Sequence, residues 1–146
     1  MANYKGHVFG GVVAYVLVAI VISSYCMCTK FIGNGFLFAI AGSLFPDVDI
    51  KSNAQKIFYA LVFVSMLILA IQNKESLAVF LGMISFLPLF VKHRGLFHSF
   101  WFNFILTVLA ISFICVNSPL NCTSTIYYAI FFLAGILSHL FLDRRN

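Results

Sequence analysis

Six nearly continuous apolar runs, at about 8–28, 31–46, 57–72, 76–91, 96–117 and 125–142, occupy most of this 146-residue chain. Each is apolar throughout instead of alternating with period two, so helices are expected and strands are not. A membrane barrel would also need many more residues. Hydrophobic residues make up 62% of the chain and charged residues 9%, with Phe alone contributing 18; mean hydropathy is +1.04. A soluble domain this small cannot hide so much apolar surface, so lipid must be the solvent for much of it. The expected fold is one all-α, membrane-embedded domain over residues 1–146, a polytopic bundle of about six apolar helices. At about 1.5 Å per residue, the first, fifth and sixth runs are comfortable spans. The second, third and fourth are short enough to be tilted or re-entrant.

Polar breaks separate the runs. Gly33, Asn34 and Gly35 are expected to loosen the start of the second helix, and Pro46 to open a loop over 46–56 with Ser52 or Asn53 capping the third. Gln72, Asn73, Lys74 and Glu75 read as a tight polar turn, with Ser76 leading into the fourth helix. Lys92, His93, Arg94 and Gly95 divide the fourth from the fifth, and Asn117, Ser118 and Pro119 end the fifth. The first run is read as a span and not as a cleaved signal, because it is long and Ser23-Ser24-Tyr25 lacks a small-x-small cleavage site.

The net charge is +5, yet the basic residues form no single run. They read as orientation signals, with membrane lipids as the partner and no nucleic acid expected. With six spans and a cytoplasmic N-terminus, the cytoplasmic side receives Lys5, Lys51, Lys56, Lys92, Arg94, Arg144 and Arg145, and the other side only Lys30 and Lys74. That bias places both termini in the cytoplasm.

The same topology sorts the groups able to bind a metal. All four histidines and three of the four acidic residues fall into four islands: His7; Asp47 with Asp49; His93 with His98; His139 with Asp143. All seven land at the cytoplasmic face, although orientation was read from Lys and Arg alone. Ionisable groups are costly near lipid and mark a functional site by default. Cys26, Cys28, Cys115 and Cys122 land at the opposite face; if that face is a bacterial periplasm, disulfides can form there, though no pairing follows from the sequence.

Each island has its own logic. On a helix, His139 and Asp143 are four residues apart and project from nearly one face, so they can share a metal or the Asp can orient the His; a structural hydrogen bond at a helix end is the alternative. Asp47-Val48-Asp49 follows Pro46 in what should be extended backbone, whose alternate residues point the same way. His93 and His98 would diverge on an unbroken helix, but Gly95 lets His93 lie on a loop and His98 in the first turns of the fifth helix. Arg94 beside a cation calls for an intervening anion, and its guanidinium matches phosphate. Ser99 can bond a ligand or cap the helix. His7 precedes Gly10 and Gly11, small residues that let another helix come close. Four imidazoles and three carboxylates suit zinc, manganese or iron, in one or two ions.

Taken in order, these motifs resemble the YdjM-like family of inner-membrane-associated metal-dependent hydrolases. That family is itself similar, at a distance, to zinc-dependent phospholipases C and related nucleases, whose helical His-x-x-x-Asp ligands match His139 and Asp143. The resemblance covers nearly the whole chain and implies a multi-pass protein of a bacterial inner membrane. The family often carries Thr before the second of the paired histidines, where this chain has Phe97. The expected activity is hydrolysis of a small phosphoester or a phospholipid by a metal-activated water at the cytoplasmic face. His93, His98, His139, Asp47 and Asp49 are the expected primary ligands, with His7 and Asp143 completing the site and Arg94 holding phosphate. A metal-ion or proton transporter and a non-catalytic membrane protein are the alternatives; a transporter would spread its ligands through the membrane's depth.

Overall fold

The computed structural model describes residues 4–25, 29–48, 53–90 and 96–144. Among them every regular element is helical: α1 (Tyr4–Tyr25), α2 (Thr29–Leu44), α3 (Asn53–Ile71), α4 (Glu75–Phe90), α5 (Phe100–Asn117) and α6 (Cys122–Arg144). Single 3-10 turns at Phe45–Asp47, Leu96–His98 and Pro119–Asn121 complete the set. Three helical stretches, Lys5–Ser24, Phe100–Asn117 and Pro119–Arg144, are long and apolar enough to cross a membrane; the other apolar helices are shorter.

Burial departs from that of a soluble domain, since polar groups share the interior with the apolar core and many large apolar side chains face outward. His7, Ser43, Ser85, Asn103, Thr107 and His139 lie inside, while Leu17, Ile20, Leu37, Ile105, Leu109 and Phe141 face outward. Water would penalise that arrangement, whereas lipid favours it.

Helices α1, α2 and α6 form the tightest part of the bundle, with α5 against α6 and α3 paired with α4. Close approach of α2 and α6 depends on missing side chains. A Cβ on Gly42 would collide with the Phe132 carbonyl, and one on Gly135 would collide with the Ala39 carbonyl and lie 2.8 Å from the Ser43 nitrogen. Gly11 performs the same service for α1, where a Cβ would sit 2.6 Å from Ser43 Oγ. Small residues permit backbone-to-backbone packing where lipid supplies no hydrophobic drive.

The Gly33–Gly35 segment behaves differently from expectation. It lies within α2, and Gly35 leaves the space that the Phe131 ring fills. Packing against α6 thus outweighs the modest helix penalty of glycine. The 72–75 turn is as expected. Asn73 takes a left-handed backbone (φ 54°), while the amides of Asn73 and Lys74 donate to the carbonyls of Ala70 and Leu69. This is the Schellman closure of a helix end. Glu75 opens α4, and Ser76 Oγ donates instead to Asn117 Oδ1 at the end of α5. At that same end, a disulfide joins Cys115 to Cys122.

At the opposite end, Phe45, Val48, Phe97 and Ile136 form a buried cluster. The Phe45 ring meets Phe58, Phe97 and Phe132 edge-on at 5.3–5.8 Å between centroids. Phe97 is fully buried there. This aromatic floor joins both neighbouring 3-10 turns to α3 and α6, and the polar cluster lies beside it.

Candidate metal centre

Four chain segments converge at this end. Pro46 lacks the amide that would continue α2 and has the backbone angle of a first helical turn. The chain therefore tightens into the 45–47 turn, closed by the Val48 amide donating to the Phe45 carbonyl at 3.1 Å. Val48 is helical (φ −72°, ψ −19°) and buried. The expected extended backbone is not present, so the alternate-residue argument for aiming Asp47 and Asp49 together fails. The turn aims Asp47 inward; Asp49 lies outside the described residues.

His98 closes the 96–98 turn instead of occupying the first turns of α5. Ser99 stands at the helix-capping position without a capping side-chain bond. The turn is held from within α5, where buried Asn103 Nδ2 donates to the carbonyls of Phe97 (2.6 Å) and Ser99 (2.9 Å). These are the residues on either side of His98. His93 and Arg94 lie outside the described residues.

From α6, His139 and Asp143 project together as their spacing implied, His139 Nε2 lying 3.5 Å from Asp143 Oδ2. His139 is fully buried, and its Nδ1–H donates to the Ser43 carbonyl at 2.7 Å. That bond commits the ring proton to Nδ1 and leaves the Nε2 lone pair facing the cluster. His7, on the first turns of α1, is 2% exposed and stacks on His139 with ring centroids 3.9 Å apart.

The spacing of the donor atoms is informative. His98 Nε2 lies 3.7 Å from Asp47 Oδ1 and 3.5 Å from Asp143 Oδ2, and His139 Nε2 lies 3.6 Å and 3.5 Å from the same two oxygens. Hydrogen bonds between such groups would be about 2.7–3.2 Å. Ligands about 2.1 Å from one tetrahedral ion stand about 3.4 Å apart. One atom from each of Asp47, His98, His139 and Asp143 lies within 4.8 Å of all the others. These four residues could therefore hold one metal ion.

Electrostatics agree. Buried His139 Nε2 and Asp143 Oδ1 have no hydrogen-bond partner among the described residues. A bare nitrogen lone pair facing two carboxylate oxygens is repulsive, and burial without a partner is costly. A cation between them turns each of these contacts attractive. The two nitrogens and two oxygens are the mixed donor set that zinc, manganese and iron accept.

The seven expected ligands thus divide. Asp47, His98, His139 and Asp143 come together, His7 adjoins them, and Asp49 and His93 fall on undescribed segments. Asp143 stands among the four donors instead of merely completing the site, because α6 continues through Arg144 and holds it in the helix. Sequence reasoning overlooked Ser43 and Asn103, which orient His139 and His98. An Asn inside an apolar helix is the only signal that could have pointed to Asn103; a carbonyl acceptor such as that of Ser43 leaves none.

No curated protein and no solved structure matches the chain, so the expected distant similarity to zinc-dependent phospholipases C finds no support in these comparisons. The family model described as YdjM inner membrane protein matches residues 1–146, in keeping with the outward-facing apolar side chains and the apolar helices, and the chain belongs to that family.

Proposed function

We propose that this chain is a multi-pass, metal-dependent hydrolase of a phosphoester, with a phospholipid as the favoured substrate, acting at the cytoplasmic face of a bacterial inner membrane. The observation that carries the reading is the set of Asp47, His98, His139 and Asp143, whose donor atoms all lie within 4.8 Å of one another, with His139 Nε2 buried and without a hydrogen-bond partner among the described residues. Bound there, zinc or manganese would lower the pKa of a coordinated water and polarise a phosphoryl oxygen.

The protein's own part is to hold these donors rigid. Ser43 fixes the His139 tautomer, Asn103 fixes the turn bearing His98, and α6 fixes Asp143 relative to His139. Arg94, four residues before His98 in sequence, is assigned to the substrate phosphate. Donors gathered at one end of the bundle, and not distributed along it, suit a membrane-surface reaction better than a transport pathway.

The test is metal content and hydrolysis by the full chain purified in detergent. The wild type should retain stoichiometric metal and release product from phospholipid micelles, and His98→Ala should lose both. Absence of stoichiometric metal from the folded wild type would refute the site. Retained metal with flux into liposomes and no hydrolysis would replace the hydrolase with a transporter.

A further inference from the structure

The four-donor set uses only one oxygen of each carboxylate. Asp47 presents Oδ1 to His98 and His139, and Asp143 presents Oδ2. The remaining oxygens both face His7: Asp143 Oδ1 lies 3.5 Å from His7 Nε2 and Asp47 Oδ2 lies 4.0 Å from it. These separations are again too long for N–H···O hydrogen bonds, and they are close to the edge lengths within the first set. Asp143 Oδ1 is buried without a hydrogen-bond partner among the described residues.

We infer that the centre is dinuclear: a second divalent cation binds between His7 Nε2, Asp47 Oδ2 and Asp143 Oδ1, with both carboxylates bridging the two ions. The inference rests on the proposed metal site and adds to it a defined second position. It accounts for a histidine that would otherwise be buried against the face of another histidine, with no strong bond to show for its desolvation. The stacking then has a purpose. His7 and His139 lie 3.9 Å apart and nearly parallel, which suits two ions about 3.5–4 Å apart, each taken by its own ring. A Cβ on Gly11 would sit 2.6 Å from Ser43 Oγ and 3.3 Å from the Ala39 carbonyl oxygen, so the glycine eases the close approach of α1 to α2 beside His7; at Gly10 a Cβ would have to push aside only the end of the Leu142 side chain.

The alternative is that His7 is a neighbour of a mononuclear site and binds no ion. To separate the two, the full chain in detergent is stripped, loaded with Mn(II), desalted, and assayed for manganese per chain and for its electron paramagnetic resonance spectrum. The wild type should retain about two ions per chain with the spectrum of an exchange-coupled pair. His7→Ala should retain about one, with an uncoupled six-line spectrum. One ion per wild-type chain, or equal retention by wild type and His7→Ala, would overturn the second position while leaving the first. No ion in the wild type would remove both. If His7→Ala does not fold, as judged by circular dichroism, the wild-type stoichiometry and coupling still decide the matter.

Discussion

Asn103 should govern metal affinity without touching the metal. Its amide is buried and donates to the Phe97 and Ser99 carbonyls at 2.6 and 2.9 Å, gripping the turn on both sides of His98. Asn103→Ala removes both bonds. The Ser99 carbonyl keeps the Asn103 backbone amide at 3.2 Å, so the principal loss falls on Phe97. At about 0.5–1.5 kcal/mol per bond, the pair is worth about 1–3 kcal/mol. If the bonds serve mainly to hold His98 in place, most of that sum appears as weaker metal binding, and about 1.4 kcal/mol corresponds to tenfold. The expected loss is therefore about 10–100-fold in affinity, the range typical of residues that orient a ligand. Competition against a chromophoric zinc chelator measures it. Asn103→Asp, which has the shape without the donor, should lose as much. Thr107→Val is the control: it removes only a bond from Thr107 Oγ1 to the Asn103 carbonyl, one turn along the same helix, and should bind metal as the wild type does. If Asn103→Ala lowers the unfolding temperature of the metal-free protein but leaves affinity unchanged, Asn103 is structural only.

Two further outcomes follow from packing and covalent links. Gly135→Ala should destabilise the bundle by about 1–3 kcal/mol, the usual cost of overpacking, because its Cβ meets the Ala39 backbone, which cannot swing aside. Separating α2 from α6 also stretches the Ser43–His139 bond, so thermal unfolding in detergent and zinc affinity should fall together. Reducing the Cys115–Cys122 disulfide, which closes a seven-residue separation, should lower stability by about 2–3 kcal/mol on the loop-entropy account. It should leave metal content intact, since α6 separates that link from Asp143 by about 30 Å. With the donors facing the cytoplasm, thiols freed by reduction in intact cells should react with a membrane-impermeant maleimide. Protection of Cys115 and Cys122 from that reagent would invert the proposed orientation.

The amino-acid sequence alone determined the class of fold and most of the cast. Continuous apolar runs admit only helices in lipid, because each backbone amide must then be satisfied within its own segment. Scarcity identified the candidates, since seven costly groups in so apolar a chain require a reason. The i,i+4 relation of His139 and Asp143 was legible because it is local to one helix.

Tertiary structure decided everything that depends on distances between segments. Pro46 was visible, but whether the chain after it runs extended or tightens into a turn depends on burying Phe45 and Val48 against Phe97 and Ile136. Gly33–Gly35 reads in sequence as a loosened start to the second helix, whereas in the fold it lies within α2 with the Phe131 ring filling the space at Gly35. The pairing of Ser43 with His139 spans 96 residues and uses a main-chain carbonyl, which every residue carries and no sequence pattern marks. The division of the two carboxylates between His7 on one side and His98 with His139 on the other is likewise a matter of which oxygen faces which ring. Those orientations arise only when α1, α2, the 96–98 turn and α6 are packed against one another, with glycine contacts setting how closely the helices approach.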